Sequence, residues 1–300
     1  MMTTNQYTPL TSHGLIKISG RDAKKLLQGQ LTCQLDDIAE DQFNFAAHCN
    51  PQGRVISFFY LLQINNDYYL HLACDMIETA MKALKKYAVF YQTSIANVSD
   101  TMKSVGLTIK DEKILSNYFT HYPMQKKSAL VNEQIYLAKI SNEQYLMLGE
   151  EKIIAKKTKK FATDFIESSL AQWHAEEISM KIPRIYPETS EVFLPHEIGL
   201  PELGAVNFSK GCYTGQEIIA RMEYRGKLKN HLHLVSLTST IYPKPNMTIH
   251  ANNKIIGTIV DVEKKSAQEY LALIILNDEY INYDALYLEN NHAISLAVLN

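Results

Sequence analysis

The chain has 300 residues, 46% hydrophobic and 21% charged, with 30 Lys and Arg against 32 Asp and Glu for a formal charge of −2. That length suggests two or three domains of an ordinary soluble globular protein, and no segment is low-complexity. The near balance of charge gives no global field for nucleic acid or an anionic membrane. Cys33, Cys49, Cys74 and Cys212 are widely separated and form no CxxC or Cys/His pattern, so neither a metal site held by this chain nor a disulfide framework is expected. With no charged-then-apolar leader in MMTTNQYTPL, a reducing cytoplasm is the expected compartment. The longest apolar run, VISFFYLLQI, is about half of a membrane span, so no membrane association is expected.

In chain order, residues 14–18 read as a strand, and Ser19 can cap a helix running through Asp22, Ala23, Leu26 and Leu27 to Gln28, where Gly29 ends it. FNFAAHCN and RVISFFYLLQI read as strands joined across Asn50-Pro51-Gln52-Gly53, whose Asn, Pro and Gly suit the first, second and fourth positions of a type I turn. A turn at Asn65-Asn66-Asp67 leads to YYLHLA, completing a three-stranded antiparallel meander over 43–73. Ile77, Ala80, Met81, Leu84 and Ala88 recur at helical spacing with Lys82, Lys85 and Lys86 outside, and VFYQTSIANV follows as a strand. Strands SVGLTIK, QIYLAKI and QYLMLG, with a short helical patch near 112–118, make a second α+β subdomain. From Glu150 a long helical pattern runs through Trp173 and carries Lys152, Lys156, Lys157, Lys159 and Lys160. Such a face is ordinarily solvated; an RNA or DNA patch is the alternative, disfavoured because no aromatics are interleaved. Trp173 itself is expected to be a packing anchor.

Residues 181–208 contain four of the nine prolines, a density that ends regular structure and suits either a binding-site wall or a plain connector. The stretch that follows, FSKGCYTGQEIIARMEYRG, is the most chemically dense in the chain. Thr214 and Glu217 have capping-box spacing, which predicts a helix starting at Gly215, with Tyr213 and Ile218 as a hydrophobic staple and Gly226 as its stop. Cys212 then lies two residues before the cap, where the positive helix end and Lys210 favour a thiolate. An inert, buried thiol is the competing reading. Beyond Gly226 the chain changes to short alternating strands, HLHLVSLT, MTIHA, KIIGTIVDVE, EYLALIIL, ALYLE and AISLAVL, a small antiparallel barrel or sandwich. The domain boundary is therefore expected near 230, giving 1–230 and 231–300.

KGCYTGQEIIAR, together with SGRDAKKLLQGQLTCQL, AAHCNPQGRV and LKKYAVF, closely resembles the YgfZ family of folate-binding proteins, relatives of the glycine-cleavage aminomethyltransferase. The resemblance covers nearly the whole chain up to about Arg225 and continues weakly around IIGTIVDV. It implies an α+β, aminomethyltransferase-like fold of two intertwined α+β subdomains plus a C-terminal antiparallel β-barrel, built around a channel for tetrahydrofolate or a one-carbon derivative. It also implies an accessory role for iron–sulfur proteins, including a tRNA methylthiotransferase, with the functional cysteine falling on Cys212. A proline-x-glutamate element of the related aminomethyltransferases is matched by Pro195-His196-Glu197, so Glu197 is the expected pterin partner. Tyr186, Phe193 and Tyr213 are candidate walls, and Arg184, Lys210 or Arg221 the candidate cation for the glutamate tail. The chain departs from the family at Ile198-Gly199-Leu200-Pro201-Glu202, where members commonly carry asparagine-leucine-aspartate.

Three functions follow as expectations. The first is a folate-binding accessory factor for iron–sulfur proteins in tRNA modification, a monomer acting on client proteins without direct nucleic-acid contact. The second is a folate-dependent one-carbon transferase, opposed by YYLHLACDM, in which Asp75 is the only carboxylate and the asparagines of the related enzymes are missing. The third is an RNA-binding protein, resting on the lysine-rich helix alone.

Overall fold

The computed structural model describes residues 4–226, 228–280, 283, 285–289 and 292–299. Its strands are Asn5–Pro9 (β1), His13–Ser19 (β2), Asn44–Cys49 (β3), Val55–Ile64 (β4), Asp67–Ala73 (β5), Ser94–Asn97 (β6), Met102–Thr108 (β7), Ala129–Asn132 (β8), Ile135–Lys139 (β9), Gln144–Glu150 (β10), Phe165–Glu167 (β11), Asn230–Ser239 (β12), Thr248–Ala251 (β13), Lys254–Lys264 (β14), Glu269–Asn277 (β15), Leu286–Leu288 (β16) and His292–Val298 (β17). The helices are Ala23–Gln30 (α1), Ile77–Ala88 (α2), Glu151–Lys159 (α3), Leu170–Ser179 (α4) and Gln216–Arg225 (α5). The fold is α+β, and the chain divides into two compact units. One consists of Phe59–Trp173 with the segment ending at Ala46; the other consists of Ala47–Phe58 with the segment starting at His174.

The first unit holds a six-stranded sheet in the order β11-β1-β7-β10-β9-β8, antiparallel except where β1 meets β11. Its core joins Val105 and Leu107 of β7, Leu137 of β9 and Tyr145 and Met147 of β10 to Ile154 of α3 and to Phe161 and Phe165. Trp173 is an anchor, as its size suggests: it is 2% exposed, and a Cβ at Gly106 would lie 2.4 Å from its ring. A five-stranded sheet follows the order β3-β4-β5-β2-β6, antiparallel from β4 to β6. The first eight residues of β4 are all buried, which explains why it reads as an unbroken apolar run rather than an alternation. Helix α2 buries Ile77, Ala80, Ala83 and Leu84 and turns its lysines outward.

In the second unit β12-β15-β14-β13-β16-β17 close into a six-stranded antiparallel barrel, β17 pairing back on β12. Closure removes the sheet edges that short strands would otherwise leave unpaired. Val235, Leu237, Ile249, Ile259, Ile274 and Leu288 fill the interior. Register slips in β14 between Ile259 and Asp261, and this bulge breaks the alternation of the strand.

Three sequence expectations are corrected. Helix α1 starts at Ala23, with Ser19 still in β2, and passes through Gly29 to Gln30; the space where a Gly29 Cβ would sit is open, and nothing there forces a stop. Only Ser94–Asn97 of VFYQTSIANV is a strand, and Val89 and Phe90 are 76% and 82% exposed. The helical pattern from Glu150 to Trp173 is broken into α3, a 3-10 turn Lys160–Thr163, β11 and α4. Phe161 and Phe165 enter the core there and Phe165–Glu167 pairs with β1, so tertiary pairing overrides helical periodicity.

Candidate functional site

The signature segment takes its shape from a hairpin tip. Between β3 and β4 the Gly53 N–H donates to the Asn50 carbonyl at 2.9 Å, closing the expected turn. Asn50 Oδ1 accepts from the N–H groups of Gln52 and Arg54, both at 3.0 Å, while Asn50 Nδ2 donates to Glu191 at 2.8 Å. Gly53 and Gly215 have φ of +74° and +84°. A Cβ on Gly215 would lie 2.6 Å from the Asn50 carbonyl oxygen and 3.0 Å from the Gly53 Cα. Two motifs more than 150 residues apart therefore meet backbone to backbone, at a distance that only glycine in the left-handed region satisfies.

This contact moves the expected cap by one residue. Helix α5 begins at Gln216, and the left-handed Gly215 occupies the N-cap position assigned to Thr214. Gly226 does follow the helix, its N–H donating to the Met222 carbonyl, but in an extended conformation rather than a left-handed one.

The candidate residues around α5 alternate in and out. Lys210 is 7% exposed, with Nζ 4.8 Å from the centroid of the Tyr213 ring. Tyr213 is itself buried; burial, then the neighbouring Cys49 sulfur, hold its hydroxyl above the usual range, and burial likewise pushes the Cys49 thiol up. Cys212, between these two buried flanks, is exposed, so it is not a buried packing residue. Arg221 lies exposed on α5.

Glu197 belongs to a second group. Its Oε2 accepts from the Leu194 N–H at 2.8 Å, pinning the carboxylate on a local turn of the Pro-rich segment. That turn forms one wall of a cleft of about 410 Å3, to which Phe193 adds an apolar surface and Arg54 a cation; Lys254 of β14 and Asn277 of β15 are also among its lining residues. The volume is within the ~300–1,000 Å3 typical of small-molecule sites. Arg54, which the sequence reading passed over, also donates to the Val192 carbonyl and so ties the hairpin to this wall.

Arg184 and Tyr186 lie in a third group, centred on Asp261. This carboxylate is 0% exposed and accepts from Tyr186 Oη at 2.6 Å, the Arg184 N–H at 3.0 Å and the Val262 N–H at 2.8 Å. His174 Nε2 approaches it at 3.0 Å, while His174 Nδ1 contacts Glu263 at 2.9 Å. Burial alone would lower the His174 pKa, but the charge of Asp261 and hydrogen bonds to Asp261 and Glu263 raise it to about 10. For Asp261 burial works upward, and the charge and hydrogen bond of His174, with the hydrogen bonds from Tyr186 and the Arg184 N–H, outweigh it, leaving the carboxyl below its ordinary value. The Arg184 guanidinium lies 5.0 Å from the Tyr186 ring centroid, so these two candidates serve a charge cluster that the sequence reading did not foresee.

Asp75 is exposed at the 3-10 turn before α2, beside the exposed Cys74. Among the described residues no set of three or more His, Cys, Asp or Glu side chains is placed to hold a metal ion, and no helix is long and apolar enough to cross a membrane. The arrangement offers an outward thiol on a rigid turn, and a cleft combining a fixed carboxylate acceptor, an apolar wall and cations.

No family model matches the chain. It is 30% identical over 277 residues to the tRNA-modifying protein YgfZ of Aliivibrio fischeri (strain MJ11), covering 90% of this chain and 84% of that protein. A protein of the same name from Escherichia coli (strain K12 / DH10B) is 28% identical over 276 residues, covering 90% and 85%. Among solved structures, the crystal structure of glycine cleavage system aminomethyltransferase T from Bartonella henselae superposes with a TM-score of 0.77 over 99% of this chain and 85% of that one at 10% identity. The fold is thus aminomethyltransferase-like, and the extent and identity of the YgfZ matches establish that this chain belongs to the YgfZ family.

Proposed function

We propose that the protein is a tetrahydrofolate-binding accessory factor in tRNA modification, supporting iron–sulfur proteins such as a tRNA methylthiotransferase in the cytoplasm. The observation that carries the tRNA-modification reading is the 30–31% identity, over 90% of the chain, to proteins named for that role. Folate binding follows from the family resemblance and draws support from the cleft. A carboxylate there can accept from the paired N–H donors of a pterin ring, Phe193 can face the ring, and Arg54 or Lys254 can meet the glutamate carboxylates. Glu197 is the proposed pterin partner. Cys212 is the proposed functional thiol, held outward by Lys210 and Tyr213 packed on either side.

The test has two arms. Titration calorimetry with tetrahydrofolate and 5-formyl-tetrahydrofolate should give saturable heat, and Glu197→Gln should weaken binding by about 10- to 100-fold, the range expected when a charged hydrogen bond is lost. No heat and no thermal shift with either ligand would remove the folate reading. Deleting the gene should lower tRNA methylthiolation in the host, restored by wild-type protein but not by Cys212→Ser. Turnover of an aminomethyl donor that Asp75→Asn abolishes would instead replace this reading with a one-carbon transferase.

A further inference from the structure

We infer that the first unit carries an RNA phosphate-backbone site in the cleft beside α3, formed by Lys152, Lys156 and Lys160 around the buried ammonium of Lys157. The cleft, of about 470 Å3, is lined by these four lysines and Ile153 on one side and by Glu133, Gln134 and Ile135 of the β8–β9 turn on the other. Four cations against one carboxylate make a concentrated positive site on a chain whose formal charge is −2. Glu150 and Glu151 line a second cleft with Lys17 and Tyr69, and Lys152 borders both clefts.

Two features separate this face from an ordinary solvated lysine run. Lys157 is 5% exposed and built into the wall: its Nζ donates to the Tyr118 carbonyl at 2.6 Å and sits 4.4 Å from the Phe119 ring centroid, with the largely exposed Glu133 3.5 Å away. A buried, fixed ammonium keeps its field in low dielectric, where it acts more strongly on an incoming anion. Lys152 and Lys156 are four residues apart on α3, about 6 Å along its axis, and Lys160 continues the stripe at the start of the 3-10 turn that follows. Among the described residues none of the three has a carboxylate partner, and Lys152, Lys156 and Lys160 are all exposed. A linear array of free cations fits a linear array of phosphates better than it fits one compact anion. No base-reading aromatics accompany the stripe, so the contact positions RNA without selecting sequence. The choice of RNA among polyanions rests on the tRNA-modification reading; the site is separate from the Glu197 cleft and independent of folate.

Fluorescence anisotropy with a labelled tRNA transcript, over about 50–300 mM KCl, tests it on the full chain. Three or four phosphate contacts predict a slope of log affinity against log salt of about −2 to −3. Lys152→Ala/Lys156→Ala/Lys160→Ala should reduce that slope by about 2 and the affinity at low salt by about tenfold. Lys157 is left in place because it is part of the core. Lys82→Ala/Lys85→Ala/Lys86→Ala on α2 removes the same charge elsewhere and should stay within about twofold of wild type. The inference is overturned if tRNA does not bind at the lowest salt, if the triple-lysine variant at 152, 156 and 160 binds like wild type, or if the α2 variant loses as much. Each of these outcomes leaves the folate titration untouched, so failure here is distinguishable from failure of the folate reading.

Discussion

A methyl group would meet opposite surroundings at the two glycines of the KGCYTGQE signature. At Gly211 nothing lies within 4 Å of a built Cβ, whereas at Gly215 the Asn50 carbonyl is 2.6 Å away and φ is +84°. Gly215→Ala should therefore destabilise the protein by at least about 2 kcal/mol, because the left-handed conformation alone costs roughly 1–2 kcal/mol and the hairpin must also shift. Gly211→Ala should stay within about 0.5 kcal/mol, as open surface substitutions do. Urea unfolding followed by circular dichroism checks both, and equal losses would refute the contact. The thiols divide as sharply: Cys33 and Cys49 are buried, Cys74 and Cys212 exposed. Brief iodoacetamide treatment with mass-spectrometric mapping should label Cys74 and Cys212 in the native protein, and Cys33 and Cys49 only on unfolding. The helix N-terminus and Lys210 favour Cys212 as the fastest-labelled of the four, Cys74 included, although no local sequence signal announces that Cys74 is exposed on the turn before α2. A Cys212 that resists labelling would undo its proposed role, and slower labelling with folate present would support it.

Among the elements, those whose own residues decide their state were legible in the sequence. Pro51 and Gly53 fix the β3–β4 turn, period-2 runs mark the barrel strands, and Ile77, Ala80 and Leu84 mark the inner face of α2. The Asp261 cluster was not legible, for a physical reason. In TIVDVE the bulge after Ile259 sets Asp261 opposite Leu273, on the face away from the barrel core that holds Ile259 and Val262, and what buries it there, His174 and Tyr186, lies 87 and 75 residues away. A buried pair of this kind makes stability depend on pH. His174, raised from 6.5 to about 10 in the folded protein, contributes stabilisation that is complete below pH 6.5 and is lost as pH rises through about 10. Asp261, held below 3.8, contributes above that pH and loses its contribution as the solution becomes more acidic. Stability from this cluster should thus be greatest between about pH 4 and 6.5. Replacing His174 by Ala should cost about 3–5 kcal/mol near pH 6, the range for stranding a buried charge, and should flatten the loss between pH 6.5 and 10. Urea midpoints measured across that interval decide it; an unchanged profile in the variant would show that His174 is not the titrating group.

At the scale of the whole molecule, the two proposed ligands fall on different compact units, and this separation can be observed directly. Residues 191–197 and the strands that complete the Glu197 cleft lie in the unit containing the barrel, whereas α3 and the β8–β9 turn lie in the other. A ligand that binds only the folded form raises the free energy of local opening where it binds, by about 2.7 kcal/mol when present at 100 times its Kd. Hydrogen exchange read by mass spectrometry should then show 5-formyl-tetrahydrofolate protecting peptides that span 191–197, 254–258 and 275–280, with 151–160 unchanged. A tRNA transcript at low salt should give the reverse pattern, protecting 151–160 and 133–135 and leaving 191–197 as it was. At the same ligand concentration folate protection should fall to about 0.4–1.4 kcal/mol in Glu197→Gln and persist in full in the triple-lysine variant. If folate instead protects the α3 peptides, or protects 191–197 equally in Glu197→Gln, the carboxylate is not the pterin partner and the ligand must be sought at another cleft.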